Sequence, residues 1–371
     1  MSDRDRIESI DDQIAALYVE RMALIKRQAE EEPISGQADE KSVVSRVTKD
    51  VPDDMARYLK QVFDGVLETG LAYRRSLTLP DSPLRDRIQG ALSAADRTFP
   101  ARAVVACQGV EGAYSGIAAS RVFAIPQTVF FKDFDGVFSA VEKGFCRYGV
   151  LPIENSAVGS VNAVYDLMKK HRFYIVRSVR LQVSHHLLAK PGTSLDEITE
   201  VFSHEQALNQ CSALLASLPQ GVKVTVATNT AVAAKTVAES EGKTACISSR
   251  DCAALYGLRI LKSNVQDRDN NFTRFIVISK DLTIYQGADR ISIMMTLPNY
   301  AGSLNRTLNK FSTLGLNLTK LESRPLPNTT FEFMFYFDFE GRPDDPAVLS
   351  LLSELDLGSE EFAFLGAYRE I

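Results

Sequence analysis

Apolar residues Ile7, Ile10, Ile14, Leu17 and Leu24 recur at three- and four-residue steps. That spacing lines one face of a helix. Pro33, behind Glu30-Glu31-Glu32, disfavours helix at the residue before it and closes the stretch. A second helix is predicted from about Asp39. A third runs through Met55 to Arg75, with Leu59, Val62, Phe63, Val66 and Leu67 on its apolar face. Three helices make a thin core, which predicts dimerisation through the long one. Residues 1–80 are read as this helical domain. Residues 81–101, with Pro83 and Pro100 around a short helical stretch, are read as a linker.

From 102 to 283 the pattern changes to short apolar runs separated by helical ones. The predicted strands are 103–106, 128–131, 150–153, 173–176, 179–183, 201–202, 222–227, 245–247 and 272–278. This alternation predicts an α/β domain, whose ligands sit at strand ends and helix N-termini. Its length suffices for two lobes with a cleft. Residues 288–371 predict strand (290–297), helix (302–312), strand (317–323), strand (330–339), helix (347–355) and strand (362–368). That βαββαβ order is the ferredoxin-like unit. Phe331, Phe333, Phe335, Phe337 and Phe339 alternate, as on a half-buried strand.

Composition narrows the function. The 371 residues are 45% hydrophobic and 24% charged, the balance of a soluble globular protein. No apolar run approaches the roughly 18 residues of a membrane span. The charged start Met-Ser-Asp-Arg-Asp-Arg lacks the apolar stretch of a signal peptide, so a cytoplasmic location is expected. A net charge of -5 argues against nucleic acid and membrane surfaces as partners. An anionic ligand must then be held by local Arg, Lys or helix N-termini. The five cysteines, at 107, 146, 211, 246 and 252, are odd in number and never spaced as CxxC. They are read as buried free thiols in a reducing compartment. The four histidines form no HExxH or HxH pattern, and no metal or other cofactor is expected.

Four polar runs carry candidate chemistry. Gly109-Val110-Glu111-Gly112-Ala113-Tyr114-Ser115 follows the first α/β strand and opens a helix, where backbone N–H groups and the helix N-terminus favour an anion. Leu151-Pro152-Ile153-Glu154-Asn155-Ser156 ends a strand on three polar side chains. Ser203-His204-Glu205-Gln206-Ala207-Leu208-Asn209-Gln210-Cys211 caps a helix at another strand end. Asp269-Asn270-Asn271-Phe272-Thr273-Arg274-Phe275 enters an apolar strand, with Thr273 and Phe275 on one face and Arg274 on the other. Taken singly, each run also fits an ordinary turn or helix cap. His185 and His186 sit at a strand end with no partner pattern and are read as structural.

In this order and spacing, the four runs resemble the prephenate dehydratases. The family patterns are G-P-x-G-[TS]-[YF]-[ST], P-I-E-N-S, S-H-x-Q-A-L-x-Q-C and N-x-T-R-F; Val110 and Ala113 depart from the first. The resemblance implies two α/β lobes, like a periplasmic binding protein, with the substrate between them. It implies cofactor-free conversion of prephenate to phenylpyruvate, CO2 and water, in phenylalanine biosynthesis. Thr273 is implied near the leaving hydroxyl, with Glu154 or His204 behind it, since a threonine hydroxyl is too weak an acid to act alone. Asn155, Ser203 and Gln210 are implied in the cleft, and Arg274 is a candidate carboxylate anchor or, since alternation points it away from Thr273, a structural ion pair. Gly112, Ala113, Tyr114, Ser115, Ser156 and Phe275 are implied in substrate binding.

The flanking segments extend the resemblance. Ala301-Gly302-Ser303-Leu304, Asn317 and Glu322-Ser323-Arg324-Pro325 are similar to the phenylalanine-binding motifs of the regulatory ACT domain, which implies feedback inhibition. Leu365-Gly366-Ala367-Tyr368 resembles its closing motif. The N-terminal framework with Arg4, Arg21 and Glu40 is similar to the chorismate mutase domain of bifunctional members. There Glu32 stands for a lysine, Asp39 for an arginine and Gly36 for an aspartate, while Gly70 and Arg74 take the third-helix positions. Anions facing a dianionic substrate imply a crippled mutase retained for dimerisation, in a homodimer or homotetramer. The alternatives are a fully bifunctional enzyme, an arogenate dehydratase and a catalytically silent phenylalanine sensor.

Overall fold

The structure, a computed structural model, describes residues 2–31, 40–77, 82–326 and 333–371. Glu32, Gly36, Asp39 and Phe331 lie outside the described residues, as does the side chain of Glu40. The chain folds as two compact units. One comprises Met1–Ala94 with Asp289–Leu365, the other Ala95–Ala288 with Gly366–Ile371.

The first unit begins with helices α1 (Asp3–Glu31), α2 (Glu40–Thr48), α3 (Asp53–Leu77) and α4 (Pro83–Leu92). Asp3 and Asp5 sit in the first turn of α1, where the helix dipole favours anions. Tyr18 ties α1 to α3 by donating to Thr69 Oγ1 at 2.7 Å. The apolar stripe Ile7, Ile10, Ile14, Leu17 and Leu24 remains exposed along α1, as do Met55, Tyr58 and Val62 on α3.

The second unit has two lobes. The first is built from β1 (Arg102–Gln108), α5 (Tyr114–Val122), β2 (Ile125–Phe131), α6 (Phe134–Glu142), β3 (Tyr148–Asn155), β4 (Gly159–Ser160), α7 (Asn162–Lys170) and β5 (Tyr174–Gln182). The second holds β6 (His186–Ala189), β7 (Glu200–Ser203), α8 (Glu205–Asn209), α9 (Ser212–Ala216), β8 (Lys223–Val226), α10 (Thr230–Glu239), β9 (Thr244–Ser248), α11 (Arg250–Leu255) and β10 (Arg259–Lys262). The chain then returns to the first lobe as β11 (Phe272–Ser279). The first sheet has the order β5-β11-β3-β1-β2, the second β10-β6-β9-β7-β8. The lobes are therefore joined through residues 183–185 and 263–271. All five cysteines are buried and free.

Two runs read as separate strands, 173–176 and 179–183, are one strand, β5. Its interior polar residues find contacts: Arg177 lies 4.1 Å over the Phe99 ring, and Ser178 donates to Glu370 at 3.2 Å. Strands β6 and β10 are not predicted by the sequence pattern. Each is four residues long, and β6 is buried at every position, so it shows no alternation.

The rest of the first unit is β12 (Arg290–Thr296), α12 (Ser303–Thr313), β13 (Leu318–Pro325), β14 (Phe333–Glu340), α13 (Pro346–Gly358) and the start of β15 (Phe362–Glu370). The order β13-β14-β12-β15 is that of a ferredoxin-like unit. The expected half-burial of β14 is corrected. Met334 and Tyr336 are buried as well as Phe337 and Phe339, while Phe333 is exposed. Residues Gly366 onward belong to the second unit, where Arg369 and Glu370 pair in parallel with Arg177 and Ser178 of β5. Gly366 is required there: at φ +139° a Cβ would run into the Ile175 carbonyl.

Candidate active site

A cavity of about 400 Å³ lies between the lobes of the second unit, within the roughly 300–1,000 Å³ of small-molecule sites. From the first lobe it is lined by Gln108, Ala113, Tyr114, Ser115, Asn155, Thr273 and Phe275, among others. His204, Gln210, Thr228, Asn229 and Thr230 line it from the second lobe, and His185 and Asn271 from the two crossings. Among the described residues, none that lines it is acidic, lysine or arginine.

Strand register selects which predicted residues reach the cavity. Thr273 of β11 is paired with Asn155 of β3, and Arg274 with Glu154. Paired residues share a face, and successive residues alternate. Asn155 and Thr273 therefore face the cavity, while Glu154 and Arg274 point to the opposite side. This corrects the placement of Glu154 behind Thr273 and, of the two readings of Arg274, favours the structural ion pair over the carboxylate anchor. Arg274 is buried; its Nη2 donates to the Tyr368 hydroxyl at 2.7 Å and its Nε lies 3.0 Å from Glu370. Glu154, also partnered, is on the wrong face to stand behind Thr273.

A directed hydrogen-bond chain crosses the cavity wall. The Ala157 backbone N–H donates to Asn155 Oδ1 at 3.0 Å, which fixes the orientation of that amide. Asn155 Nδ2 then donates to Thr273 Oγ1 and to Asn271 Oδ1, both at 2.8 Å. Asn271 Nδ2 donates in turn to Gln210 Oε1 at 2.8 Å. Gln210 Oε1 is thus an acceptor, so His185 Nε2, 3.0 Å away, must carry a proton. Because Thr273 Oγ1 accepts from Asn155, its own O–H is left to donate elsewhere.

The other predicted residues divide similarly. His204 lines the cavity and caps α8, its Nδ1 accepting from the Gln206 N–H at 3.3 Å. Its ring proton is therefore on Nε2. Ser203 does not line the cavity: it is fully buried and donates to the Ile247 carbonyl at 2.7 Å. Ser156 is exposed and ties the β11 turn by donating to the Asn270 carbonyl. Gly112 serves shape. At φ +86° a Cβ would lie 2.9 Å from Cys252 Sγ. Ala113 caps α5 without a side-chain bond. Tyr114 donates to the Ser184 carbonyl and Ser115 to the Gln108 carbonyl. Burial raises the Tyr114 phenol pKa and pushes the Cys211 thiol up to about 12; neither is poised to ionise.

Sequence reasoning missed three groups. His185, read as structural, lines the cavity with only 3% exposure. Burial holds its pKa below the ordinary histidine value, against a smaller opposing effect of the Gln210 bond. Thr228, Asn229 and Thr230 open α10, with Asn229 Oδ1 accepting from the Val232 N–H. Their signal was an Asn-Thr cap directly after a predicted strand. Asn271, quoted only as part of a turn, is the link between Asn155 and Gln210. Of the two histidines, only His186 keeps its structural reading, accepting from the Asn264 N–H at 3.2 Å.

Comparison with known proteins fits this geometry. The prephenate dehydratase profile matches residues 105–283. A bifunctional chorismate mutase/prephenate dehydratase of Stutzerimonas stutzeri is 33% identical over 369 residues, covering 98% of this chain and 96% of its own. The chain belongs to the prephenate dehydratase family. A second family member, arogenate dehydratase/prephenate dehydratase 2 of Arabidopsis thaliana, is 37% identical over 280 residues, covering 72% of this chain and 73% of its own. A prephenate dehydratase structure from Arthrobacter aurescens, in complex with L-Phe, superposes with a TM-score of 0.65 at 27% identity. It covers 71% of this chain and 89% of its own. Family membership makes the chain an enzyme of the dehydratase class and accounts for the two-lobed α/β fold.

Proposed function

We propose that the cavity removes CO2 and water together from a cyclohexadienyl substrate, prephenate or its aminated counterpart arogenate. The observation that carries this reading is the Asn155–Thr273 pair, which leaves the threonine proton free to donate. In the reaction, the bond to the ring carboxylate breaks and its electron pair enters the ring. The C4–O bond then breaks, and the departing oxygen takes a proton to leave as water. Aromatisation supplies the driving force. The protein must position the substrate and stabilise the departing oxygen. Thr273 donates to that oxygen, and His204, with Nε2–H, is the second ring donor in the cavity.

Among the described residues lining the cavity none is arginine or lysine, so the substrate's carboxylates are assigned to other donors there. The N-termini of α5 and α10 both open on the cavity, each contributing about half a positive charge. Phe134, Pro152, Val183 and Phe275 supply apolar walls for the ring. The test is to offer the purified full chain chorismate, prephenate and arogenate separately and follow aromatic product. Turnover of prephenate or arogenate is expected; turnover of neither refutes the reading.

Two further parts of the reading are proposals. The βαββαβ unit is an ACT domain that binds phenylalanine and mediates inhibition. Supporting this, Gly302 opens α12 at φ +90°, placing Ala301, Ser303 and Leu304 at a helix N-terminus. Asn317 immediately precedes β13, which carries Glu322, Ser323, Arg324 and Pro325. The helical domain is a mutase remnant used for dimerisation. Supporting that, the exposed stripe of α1 suits a second copy. Arg4 is exposed and paired with Glu8 at 3.1 Å. Arg21 Nη1 donates to the Val66 carbonyl at 3.2 Å and lies where a side chain at position 70 would project, 2.5 Å from the Cβ site.

A further inference from the structure

Arg274 directly follows Thr273, and the strand that carries both is weakly held at that point. On the β3 side the ladder pairs Arg274 with Glu154 but Phe275 with Pro152, so β3 carries an extra residue, Ile153, at a bulge. Pro152 has no N–H to give. Bulges interrupt the pairing and re-aim neighbouring side chains. On the β5 side Arg274 stands directly opposite Arg180, and like charges so placed destabilise a pair of strands. The far end of β15 answers both weaknesses. Glu370 Oε2 lies 3.0 Å from Arg274 Nε, and its Oε1 lies 3.0 Å from Arg180 Nη2, so one carboxylate bridges the two cations. Ser178 donates to the same Oε2 at 3.2 Å. The hydroxyl of fully buried Tyr368 accepts from Arg274 Nη2 at 2.7 Å. The backbone of β15 is fixed in turn. The Ile371 N–H donates to the Ser178 carbonyl at 3.0 Å, and the Arg180 N–H to the Ile371 carbonyl at 3.2 Å.

We propose that Glu370 and Tyr368 are positioning residues for the dehydration: through Arg274 they hold the Thr273 hydroxyl on the Asn155 amide and aimed at the departing oxygen. This rests on the reading of Thr273 as the donor. Arg274, Tyr368 and Glu370 are absent from the cavity wall, so they act through β11 rather than on the substrate. Arg274 and Thr273 are successive residues on opposite faces of one strand, so the hold on the first sets the pitch of the backbone that carries the second. With the carboxylate bridge broken, Arg274 and Arg180 repel, and β11 relaxes at the bulge, the nearest break in its ladder. The Asn155–Thr273 bond is 2.8 Å long, and a shift of about 1 Å takes it out of hydrogen-bond reach. A misplacement of that size costs about a hundredfold in rate. The inference also gives the closing run Leu365-Gly366-Ala367-Tyr368 a task in this unit. Gly366 lets β15 pass close against the Ile175 backbone, and the pairing of Arg369 and Glu370 with Arg177 and Ser178 then sets Tyr368 and Glu370 against Arg274.

The test is a double-mutant cycle on kcat in the full-length chain: wild type, Glu370→Gln, Thr273→Val and the two combined. Tyr368→Phe and Glu370→Asp are measured alongside, with urea unfolding to confirm that each variant is folded under the assay conditions. Glu370→Gln keeps the shape and removes the charge that bridges the arginines. It is expected to lower kcat about ten- to a hundredfold with KM little changed, because the contact it weakens is made to the departing oxygen. Tyr368→Phe should lose less in the same direction, and Glu370→Asp, which keeps the charge, should retain more activity than Glu370→Gln. In the Thr273→Val background Glu370→Gln is expected to cost less than about twofold, since the hydroxyl it positions is gone. Should Glu370→Gln fail to fold, Tyr368→Phe takes its place in the cycle. Equal losses in both backgrounds mark a merely structural role and overturn the inference, as does wild-type kcat in both Glu370→Gln and Tyr368→Phe. A Thr273→Val chain at the wild-type rate would instead bring down the donor reading, and this inference with it.

Discussion

Asn155→Asp is the sharpest perturbation of the site, because it changes hydrogen-bond polarity with little change of shape. The wild-type amide accepts from the Ala157 N–H and donates to Thr273 Oγ1 and Asn271 Oδ1, both at 2.8 Å. A carboxylate has no proton to give. Thr273 must then turn its own O–H toward the new carboxylate, which removes the donor from the departing oxygen. Losing one preorganised donor costs about 10²–10³-fold in kcat, or about 2.7–4 kcal/mol. Asn271 Oδ1 would face a carboxylate oxygen, so its amide must flip and the neighbouring Gln210 with it. One buried polar group left unmatched costs about 1–3 kcal/mol of stability. The assay is steady-state turnover of the preferred substrate by Asn155→Asp, Thr273→Ala and the double variant, with urea unfolding alongside. Both single variants should lose kcat by similar factors, and the double should lose little more than Thr273→Ala. Additive losses, or an Asn155→Asp enzyme with wild-type kcat, would refute the argument that Asn155 acts by freeing the threonine proton.

Three more outcomes are expected. Glu370→Ala strips a carboxylate from buried Arg274, 3.0 Å away with 8% and 13% side-chain exposure, and should cost about 3–5 kcal/mol of stability, read as a lowered urea midpoint. Gly112→Ala, which places a Cβ 2.9 Å from Cys252 Sγ at φ +86°, should cost about 1–3 kcal/mol and lower kcat/KM through the start of α5; an unchanged melting temperature would contradict it. Burial lowers the pKa of both His185 and His186, so the unfolded chain binds protons that the native chain refuses. Stability should therefore fall as pH drops from about 7.5 to 5.5, through the ordinary histidine value near 6.5, and a flat urea midpoint across that window would count against it.

Much of the fold was legible because apolar runs and turn residues repeat with the periods of real elements. The β11 and β3 runs and the βαββαβ order follow from local pattern, whereas the pairing of Asn155 with Thr273 across 118 residues does not. Alternation along β3 also separates Glu154 from Asn155, and it places Arg274 opposite Thr273. The motif resemblance had drawn those two residues into the site. Other features are set by distant contacts. Ser203 looks like a cleft residue until its hydroxyl is found on the Ile247 carbonyl. His185 gains meaning only through Gln210, whose amide is oriented by Asn271 across the lobe crossing. Tyr368 and Glu370 end the ferredoxin-like pattern in sequence yet bond to Arg274 of the second unit, a pairing no local period encodes.

The central claim is that the Thr273 hydroxyl donates to the departing oxygen. Its most direct test is kcat for Thr273→Val, which keeps the branched shape and removes only the hydroxyl, measured beside Thr273→Ser on the full-length chain. The account predicts a loss of about 10²–10³-fold in Thr273→Val, with most of the activity retained in Thr273→Ser. A Thr273→Val enzyme that turns over at the wild-type rate would contradict it.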